Sequence, residues 1–137
     1  MSTQELPASH ADLLEGPNFA HLATVRPDGS PQNSVMWFDW DGSRIRLTHT
    51  KTRQKFANLA KEPRVSLSIA DPKDPYRFIE VRGVVESIAD DDATATFYKK
   101  LQARYGMDYE VPDADVRVII TIKPQLYVTV NGGAVSN

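Results

Sequence analysis

The stretch FAHLATVRPDGSPQ, residues 19–32, predicts the β-hairpin from which the rest of the fold is built. Its first part, Phe19–Arg26, is typical of a strand. Pro27 suits the first corner of a turn, and Gly29 suits a position where the backbone angle φ is positive. A second strand over Gln32–Trp40 completes the hairpin, so the chain begins as antiparallel β-structure.

A second turn, Asp41-Gly42, predicts that the sheet continues into a third strand, Arg44–Thr50. Asp-Gly between two strand-like runs is among the stronger hairpin signals. In the third strand the arginines and threonines share one face, whereas Ile45, Leu47 and His49 share the other. This period of two is typical of a half-buried strand.

The remaining sequence adds short helices and more strands. The predicted elements are a helix over 9–15, a helix from Arg53 that ends before Pro63, strands over 65–69 and 76–88 separated by a loop over 71–75, a helix opened by Asp90-Asp91-Asp92, and strands over 116–123 and 126–130 split by Pro124. Strands in hairpin order with isolated helices predict a mainly β fold, a closed or split antiparallel barrel, in one domain over 1–137. No Gly-x-Gly-x-x-Gly or Walker motif is present to indicate a nucleotide-binding sheet.

The composition excludes several classes of function. The chain has 137 residues, no cysteine, and 16 basic against 18 acidic residues. Without cysteine there can be no disulfides, thiolate nucleophiles or iron–sulfur clusters. The net charge of −2 argues against a general nucleic-acid-binding protein. Because no apolar run approaches the roughly 18–20 residues of a membrane span and the N-terminal residues lack a basic leader, we expect a cytoplasmic protein without membrane contact.

Positive charge is concentrated between Arg44 and Arg64, where seven basic residues accompany one acidic residue. The +6 charge of this segment predicts a small anionic partner. Three threonine hydroxyls and two cations, Arg53 and Lys55, come together where the predicted helix begins, a position that favours a phosphate. A solvated basic face is the alternative interpretation of the same residues.

Other chemistry receives little support from the sequence. His10, His21 and His49 lack the spacing of paired metal ligands, so we expect no metal site. The three aspartates at 90–92 favour a helix start over a metal-binding cluster. The sequence contains no Gly-x-Ser-x-Gly elbow, the motif that would indicate a hydrolase. The aromatic residues within 37–40 suit either the barrel core or the wall of a pocket for a flat ring.

Three segments together resemble a known superfamily. They are residues 19–32 quoted above, the Lys55…Asn58-Leu59…Pro63-Arg64-Val65-Ser66-Leu67 segment, and Glu80-Val81-Arg82-Gly83. Over about 13–130 the chain resembles the pyridoxamine-phosphate-oxidase-like split β-barrels. It is most similar to the small F420-dependent oxidoreductases of actinobacteria, the B group of flavin/deazaflavin oxidoreductases.

The resemblance implies a set of cofactor-binding residues. They are Val35 and Met36 beside the deazaflavin ring, Thr48, His49 and Thr50 at the ring and ribityl chain, Arg53, Gln54 and Lys55 around the phosphate or oligoglutamate tail, and Tyr76, Arg77 and Phe78 near the ring or tail. FMN-dependent oxidases commonly carry arginine where this chain has Gln54, and here the arginine comes one position earlier. This departure favours coenzyme F420 over FMN.

The resemblance further implies a homodimer with the cofactor in a groove between subunits. The expected activity is hydride transfer from reduced F420 to an electron-poor double bond or imine of a conjugated organic substrate. Because the cofactor carries the hydride chemistry, no side-chain nucleophile is needed. His49, Tyr76 or solvent could supply the proton. The alternatives are an FMN-dependent oxidase or reductase, and a non-catalytic protein that binds F420 or a flavin.

Overall fold

The computed structural model describes residues 2–132 and 134–136. Its strands are β1 (Ser2–Thr3), β2 (Ala20–Val25), β3 (Pro31–Met36), β4 (Asp39–Trp40), β5 (Ile45–Thr50), β6 (Arg64–Asp71), β7 (Asp74–Asp90), β8 (Arg117–Asn131) and β9 (Ala134–Ser136). Its helices are α1 (Ala11–Glu15), α2 (Gln54–Lys61) and α3 (Thr96–Arg104), with 3-10 turns at Ala8–His10 and Ala114–Val116.

The strands of the described residues form one antiparallel sheet. Its main path runs β3-β2-β6-β7-β8-β5-β4, and β1 and β9 both pair with β8. Because β3 and β4 end this path without pairing to each other, the sheet does not close on itself. The prediction of a mainly β, split antiparallel barrel is therefore confirmed.

The first two predicted turns form as expected. Gly29 has φ of +86° and Gly42 has φ of +96°, both in the left-handed region that glycine adopts without strain. The Asp28 carboxylate accepts the backbone N–H of Ser30 at 3.0 Å, which fixes the first turn. The predicted loop over 71–75 is shorter than expected, because β6 continues to Asp71 and β7 already begins at Asp74.

The second predicted strand is interrupted at Trp37 and Phe38. Phe38 is fully buried in the core. Its backbone N–H donates to the Tyr105 hydroxyl at 3.0 Å rather than to a neighbouring strand, and that hydroxyl donates to the Asn18 carbonyl at 2.6 Å. The tertiary contact with Tyr105, which directly follows α3, thus divides one expected strand into β3 and β4.

The β7–β8 pair is a long ribbon with two irregularities. The register shifts at Gln125 on β8 and again at Glu86 on β7. An extra residue of this kind bends a strand and increases its twist. Pro124 lies beside the first shift, where the missing N–H of proline is tolerated, so the predicted split into two strands at Pro124 is wrong.

The helix predicted to open at residues 90–92 begins later, at Thr96. Asp92 Oδ1 accepts the Thr96 backbone N–H at 3.0 Å, and Asp91 accepts the N–H groups of Phe97 at 3.2 Å and Tyr98 at 3.1 Å. The first turn of a helix leaves its N–H groups unpaired. These carboxylates therefore satisfy the N-terminus of α3 from outside the helix instead of forming its first turn.

The core lies between the inner face of the sheet and helices α1 and α2. Its fully or nearly fully buried side chains include Leu13, Leu14, Leu22, Leu47, Leu59, Leu67, Ile69, Val81, Ile120 and Ile122. Burial of such apolar surface is the main favourable term in folding. Within the described ranges, none of the helices has the length and hydrophobicity needed to cross a bilayer.

Candidate functional site

A cleft of about 290 Å³ opens where the end of β3 approaches the end of β5. It is lined by Val35, Met36, Trp37, Thr48, His49, Thr50, Arg53, Tyr98, Tyr109 and Arg117. These residues come from the three strands β3, β5 and β8, from the residue that follows β3, from the residue that precedes α2, from α3 and from the loop that follows α3. The cleft is thus located where the barrel is split.

A second cavity of about 380 Å³ adjoins the cleft and is lined by polar residues. Its walls are Gln32, Ser34, His49, Arg53 and Lys55. Because His49 and Arg53 line both spaces, an extended ligand can occupy them together. The first space is bordered by aromatic and apolar groups together with Arg53 and Arg117, whereas the second is bordered by polar side chains and the cations Arg53 and Lys55.

Lys55 is unusual among the charged residues of the site because it is buried. Only 7% of its surface is exposed, and its Nζ lies 3.1 Å from the Met36 sulfur. Among the described residues no carboxylate forms an ion pair with it. Burial, together with the nearby Arg53 charge, lowers the pKa of Lys55. A buried cation is costly unless it is paired, so this arrangement favours an anionic ligand.

Most of the other charges in the basic segment are neutralised within the protein. The ion pairs are Arg44–Glu86 at 2.9 Å, Lys51–Asp90 at 2.7 Å, Arg46–Asp41 and Arg64–Glu62. The +6 charge counted from the sequence therefore overstates what a ligand meets. Of the segment's cations, Arg53 and Lys55 are the ones that line the two spaces.

His49 is buried beside these cations. Burial, and then the charges of Lys55, Arg53 and Arg117, lower the pKa of His49 from 6.5 to about 4. The imidazole is therefore neutral at pH 7. Its Nε2 is one of three buried side-chain atoms at the cleft that lack a hydrogen-bond partner among the described residues, the others being Ser34 Oγ and Thr48 Oγ1.

These unpartnered atoms test whether the residues fit an anionic, polyhydroxylated cofactor such as a phosphorylated flavin or deazaflavin. Buried polar groups are normally hydrogen-bonded, and exceptions call for an explanation. Two hydroxyls and an imidazole are suited to bonding a ribityl-type chain, and the adjacent Lys55 and Arg53 are suited to its phosphate. The donor set fits such a cofactor.

The depressed pKa of His49 predicts a pH dependence of folding stability. Between about pH 4 and 6.5 the unfolded chain binds a proton that folded His49 does not, so stability falls as the pH is lowered through this window. Relative to a His49→Gln variant, the wild type should lose roughly 1 kcal/mol more between pH 6.5 and 5.5. Denaturant unfolding at both pH values checks this, and parallel losses in the two proteins would contradict it.

The structure brings most of the predicted site residues together. Those that line the cleft or its adjoining cavity are Val35, Met36, Thr48, His49, Thr50, Arg53 and Lys55. The side chain of Gln54 lies outside the described part of the structure, as does that of Phe56 on the same helix. The roles assigned to all of these residues stay predictions.

The remaining predicted residues, Tyr76–Phe78, lie away from the cleft in the structure. They lie at the start of β7, where the Arg77 guanidinium bonds the carboxylates of Asp12 at 2.6 Å and Asp71 at 3.1 Å. Tyr76 is 70% exposed. None of the three lines the cleft of the same protomer. The structure therefore does not bring them to the cleft of one protomer, and their role near the cofactor stays a prediction.

Sequence reasoning missed part of the aromatic wall. Trp37 lines the cleft and stacks on Tyr105 with ring centroids 5.0 Å apart, so the aromatic run over 37–40 divides between pocket wall and core. Tyr98, Tyr109 and Arg117 come from a helix, a loop and a strand that are far from β3 in sequence. No local motif signals them, because the packing of α3 brings Tyr98 and Tyr109 to the cleft and the pairing of β8 with β5 places Arg117 opposite Thr50.

The fold and the site together define a split-barrel protein whose cleft and adjoining cavity combine aromatic side chains, cations and unpartnered polar atoms. A model of the pyridoxamine 5′-phosphate oxidase family matches residues 6–131. The chain belongs to this family of oxidoreductases.

Solved structures show the same relationship. A protein named F420 reductase is 48% identical, with a TM-score of 0.86 and coverage of 89% of this chain and 98% of that one. A conserved hypothetical protein from Mycobacterium tuberculosis is 27% identical, with a TM-score of 0.73 and coverage of 93% and 86%. General Stress Protein 26 from Bacillus anthracis is 21% identical with a TM-score of 0.68 and coverage of 88% and 89%, and it shows the fold alone.

Proposed function

We propose that this protein is a reductase that uses reduced coenzyme F420 to deliver a hydride to an electron-poor double bond or imine of a conjugated organic substrate. The observation that carries the proposal is Lys55, a buried ammonium group that lines the polar cavity beside the cleft and has no carboxylate partner among the described residues. The similarity to the protein named F420 reductase supports F420 as the cofactor.

The chain's own residues bind and orient the cofactor. Lys55 and Arg53 hold its phosphate, and Arg53, which is exposed, can also reach a glutamate of the tail. Ser34 and Thr48 bond the hydroxylated chain, and Trp37 provides a flat wall for a ring. When bound, reduced F420 supplies two electrons and a hydrogen as hydride, which explains why the site needs no nucleophilic side chain.

A second copy of the chain completes the site in this proposal. The cleft of one protomer, at about 290 Å³, is at the lower end of the roughly 300–1,000 Å³ typical of ligand pockets. Val35 at its edge is 59% exposed, and Tyr76–Phe78 lie outside it. We expect a homodimer in which β7 of the second subunit approaches the cofactor.

Sedimentation of the purified protein tests the homodimer. The expected result at micromolar concentration is a dimer that binds two cofactor molecules. A monomer that still binds one cofactor per chain would contradict the assembly, because the site would then be complete within a single protomer.

Fluorescence titration with F420 and FMN, side by side in one buffer, tests the cofactor. F420 is expected to bind more tightly than FMN, with an affinity that rises with tail length and falls with salt, since exposed charge contacts are screened over about 10 Å at 0.1 M ionic strength. Tighter binding of FMN, or purification with stoichiometric flavin, would favour an FMN-dependent oxidase or reductase.

Turnover is tested separately from binding. The protein is mixed with reduced F420 and each of a panel of conjugated enones, and the reoxidation of the coenzyme is followed spectroscopically. Consumption of the enone together with the coenzyme supports a reductase. Tight F420 binding without turnover of any member would instead favour a non-catalytic binding protein.

A further inference from the structure

Two tyrosines from different parts of the chain meet at the wall of the cleft. Tyr98 lies on α3 and Tyr109 on the loop after it, and their hydroxyl oxygens are 2.7 Å apart. Their rings meet edge to face, with centroids 6.0 Å apart. The loop is fixed at this point because the Tyr109 backbone N–H donates to the Gln102 side-chain carbonyl at 3.2 Å.

A hydrogen bond between two hydroxyls uses only one of their two protons. Whichever tyrosine accepts the bond keeps its own O–H, and no group among the described residues accepts that second proton. Since both residues line the cleft, this second O–H is available to donate to a molecule bound there. A hydroxyl that accepts one hydrogen bond becomes a better donor in the next.

The surroundings of the two tyrosines differ, and the difference favours proton transfer from Tyr109 to Tyr98. The Arg117 guanidinium carbon lies 4.1 Å from the centre of the Tyr98 ring, and its Nε donates to Asp113 at 3.0 Å. This positive charge stabilises negative charge that develops on Tyr98. Tyr109 is 46% exposed, so its hydroxyl is in reach of solvent protons.

The other candidate proton donors are less well placed. Tyr76 does not line the cleft of its own protomer. His49 lies at the cleft, but its burial, and then the charges of Lys55, Arg53 and Arg117, lower its pKa and so disfavour its protonated form. Burial raises the pKa of Tyr98 to about 12, so its hydroxyl keeps its proton at neutral pH.

We propose that Tyr98 hydrogen-bonds the carbonyl oxygen of a conjugated substrate and gives it a proton, and that Tyr109 relays the replacement proton from solvent. This inference rests on the proposed function. The hydride adds to the β-carbon, the carbon–carbon π pair shifts to form the enolate, and the enolate oxygen takes the Tyr98 proton. Tyr98 regains a proton through Tyr109, and the enol becomes the saturated ketone in water, so that the substrate gains two electrons and two hydrogens while the coenzyme is oxidised.

Tyr98→Phe and Tyr109→Phe test the assignment with the enone 4-phenylbut-3-en-2-one as the probe. General acid catalysis typically contributes about 10²–10⁴-fold, so Tyr98→Phe should lower kcat by that range with a smaller change in KM. Tyr109→Phe should lower kcat less, by roughly 10-fold, since a bulk water can take its place in the relay. Affinity for F420 should stay within about 2-fold in both variants.

A second measurement does not need turnover. The absorption band of a conjugated carbonyl shifts to longer wavelength when its oxygen accepts a hydrogen bond. The band of the probe bound to the complex of the wild type with oxidised F420 should therefore be red-shifted. Tyr127→Phe is the control and should show the same shift, because Tyr127 is a core residue remote from the cleft. Tyr98→Phe should abolish the shift. An unchanged shift and unchanged kcat in Tyr98→Phe would overturn the inference. If the wild type shows the shift but no turnover, the proposed reductase activity fails while the hydrogen-bonding role of Tyr98 stands.

Discussion

Lys55→Met should weaken binding of the anionic cofactor by about 10-fold or more and leave the protein folded. The wild-type ammonium is positioned at the polar cavity, where a charge-assisted hydrogen bond to a phosphate contributes roughly 1.5–3 kcal/mol. Methionine keeps the length of the side chain and its packing against Met36 but removes the charge. Fluorescence titration with F420 measures the loss.

The same substitution should stabilise the cofactor-free protein. Burial lowers the pKa of Lys55 in the folded state, so at neutral pH the unfolded chain holds this proton more readily than the folded chain does. Protonated Lys55 therefore reduces stability at every pH below its ordinary pKa, and removing it removes that penalty. Denaturant unfolding at pH 7 should give a higher midpoint for Lys55→Met than for the wild type.

Lys61→Met is the matched control, because Lys61 lies on the same helix but is exposed. Its cofactor affinity should equal that of the wild type, and its stability should change by less than about 0.5 kcal/mol. Equal losses of affinity in the two variants would show that the overall charge of α2, rather than the buried position of Lys55, governs binding.

Gly83→Ala should destabilise the protein by roughly 1–3 kcal/mol. A Cβ built on Gly83 overlaps the backbone carbonyl oxygen of Lys123 and lies 3.2 Å from Ile122 Cγ2. A backbone atom of the neighbouring strand cannot move aside as the end of a flexible side chain can. Because Gly83 lies at the register shift between β7 and β8, the added methyl group would force these strands apart at their bend.

Ser87→Ala on the same strand provides the comparison, since Ser87 is exposed and its stability effect should stay within about 0.5 kcal/mol. Thermal or denaturant unfolding of both variants measures the difference. If Gly83→Ala unfolds at the wild-type midpoint, the close approach of the two strands does not constrain this position.

The sequence predicted the strands well because hairpin formation depends on local information. The Pro27-Asp28-Gly29 turn and the alternation within Arg44–Thr50 are set by backbone sterics and by one buried face. The predictions that were wrong concern features that depend on contacts between distant parts of the chain. The break at Phe38 and the continuity of β8 through Pro124 depend on contacts with Tyr105 and β7, which are distant in the sequence.

The charge that the basic segment presents to a ligand also depends on residues that are distant in the sequence. Counting residues gave +6, but the carboxylates that neutralise Arg44 and Lys51 are Glu86 and Asp90, which the sequence places about forty residues away. Only the folded chain shows that, among the cations of this segment, Arg53 lines the cleft and Lys55 lines the cavity that adjoins it.

By itself, the sequence determined the β-rich class of the fold, its family resemblance and the segment around Thr48–Lys55 that forms the polar part of the site, because turn chemistry, strand periodicity and short motifs are local properties. Tertiary structure alone decided that Lys55 is buried, that Tyr76–Phe78 lie away from the cleft, and that Tyr98 and Tyr109 meet at its wall. The reason is physical: burial and long-range proximity follow from how the bent β7–β8 ribbon and α3 pack, and no local pattern specifies that packing.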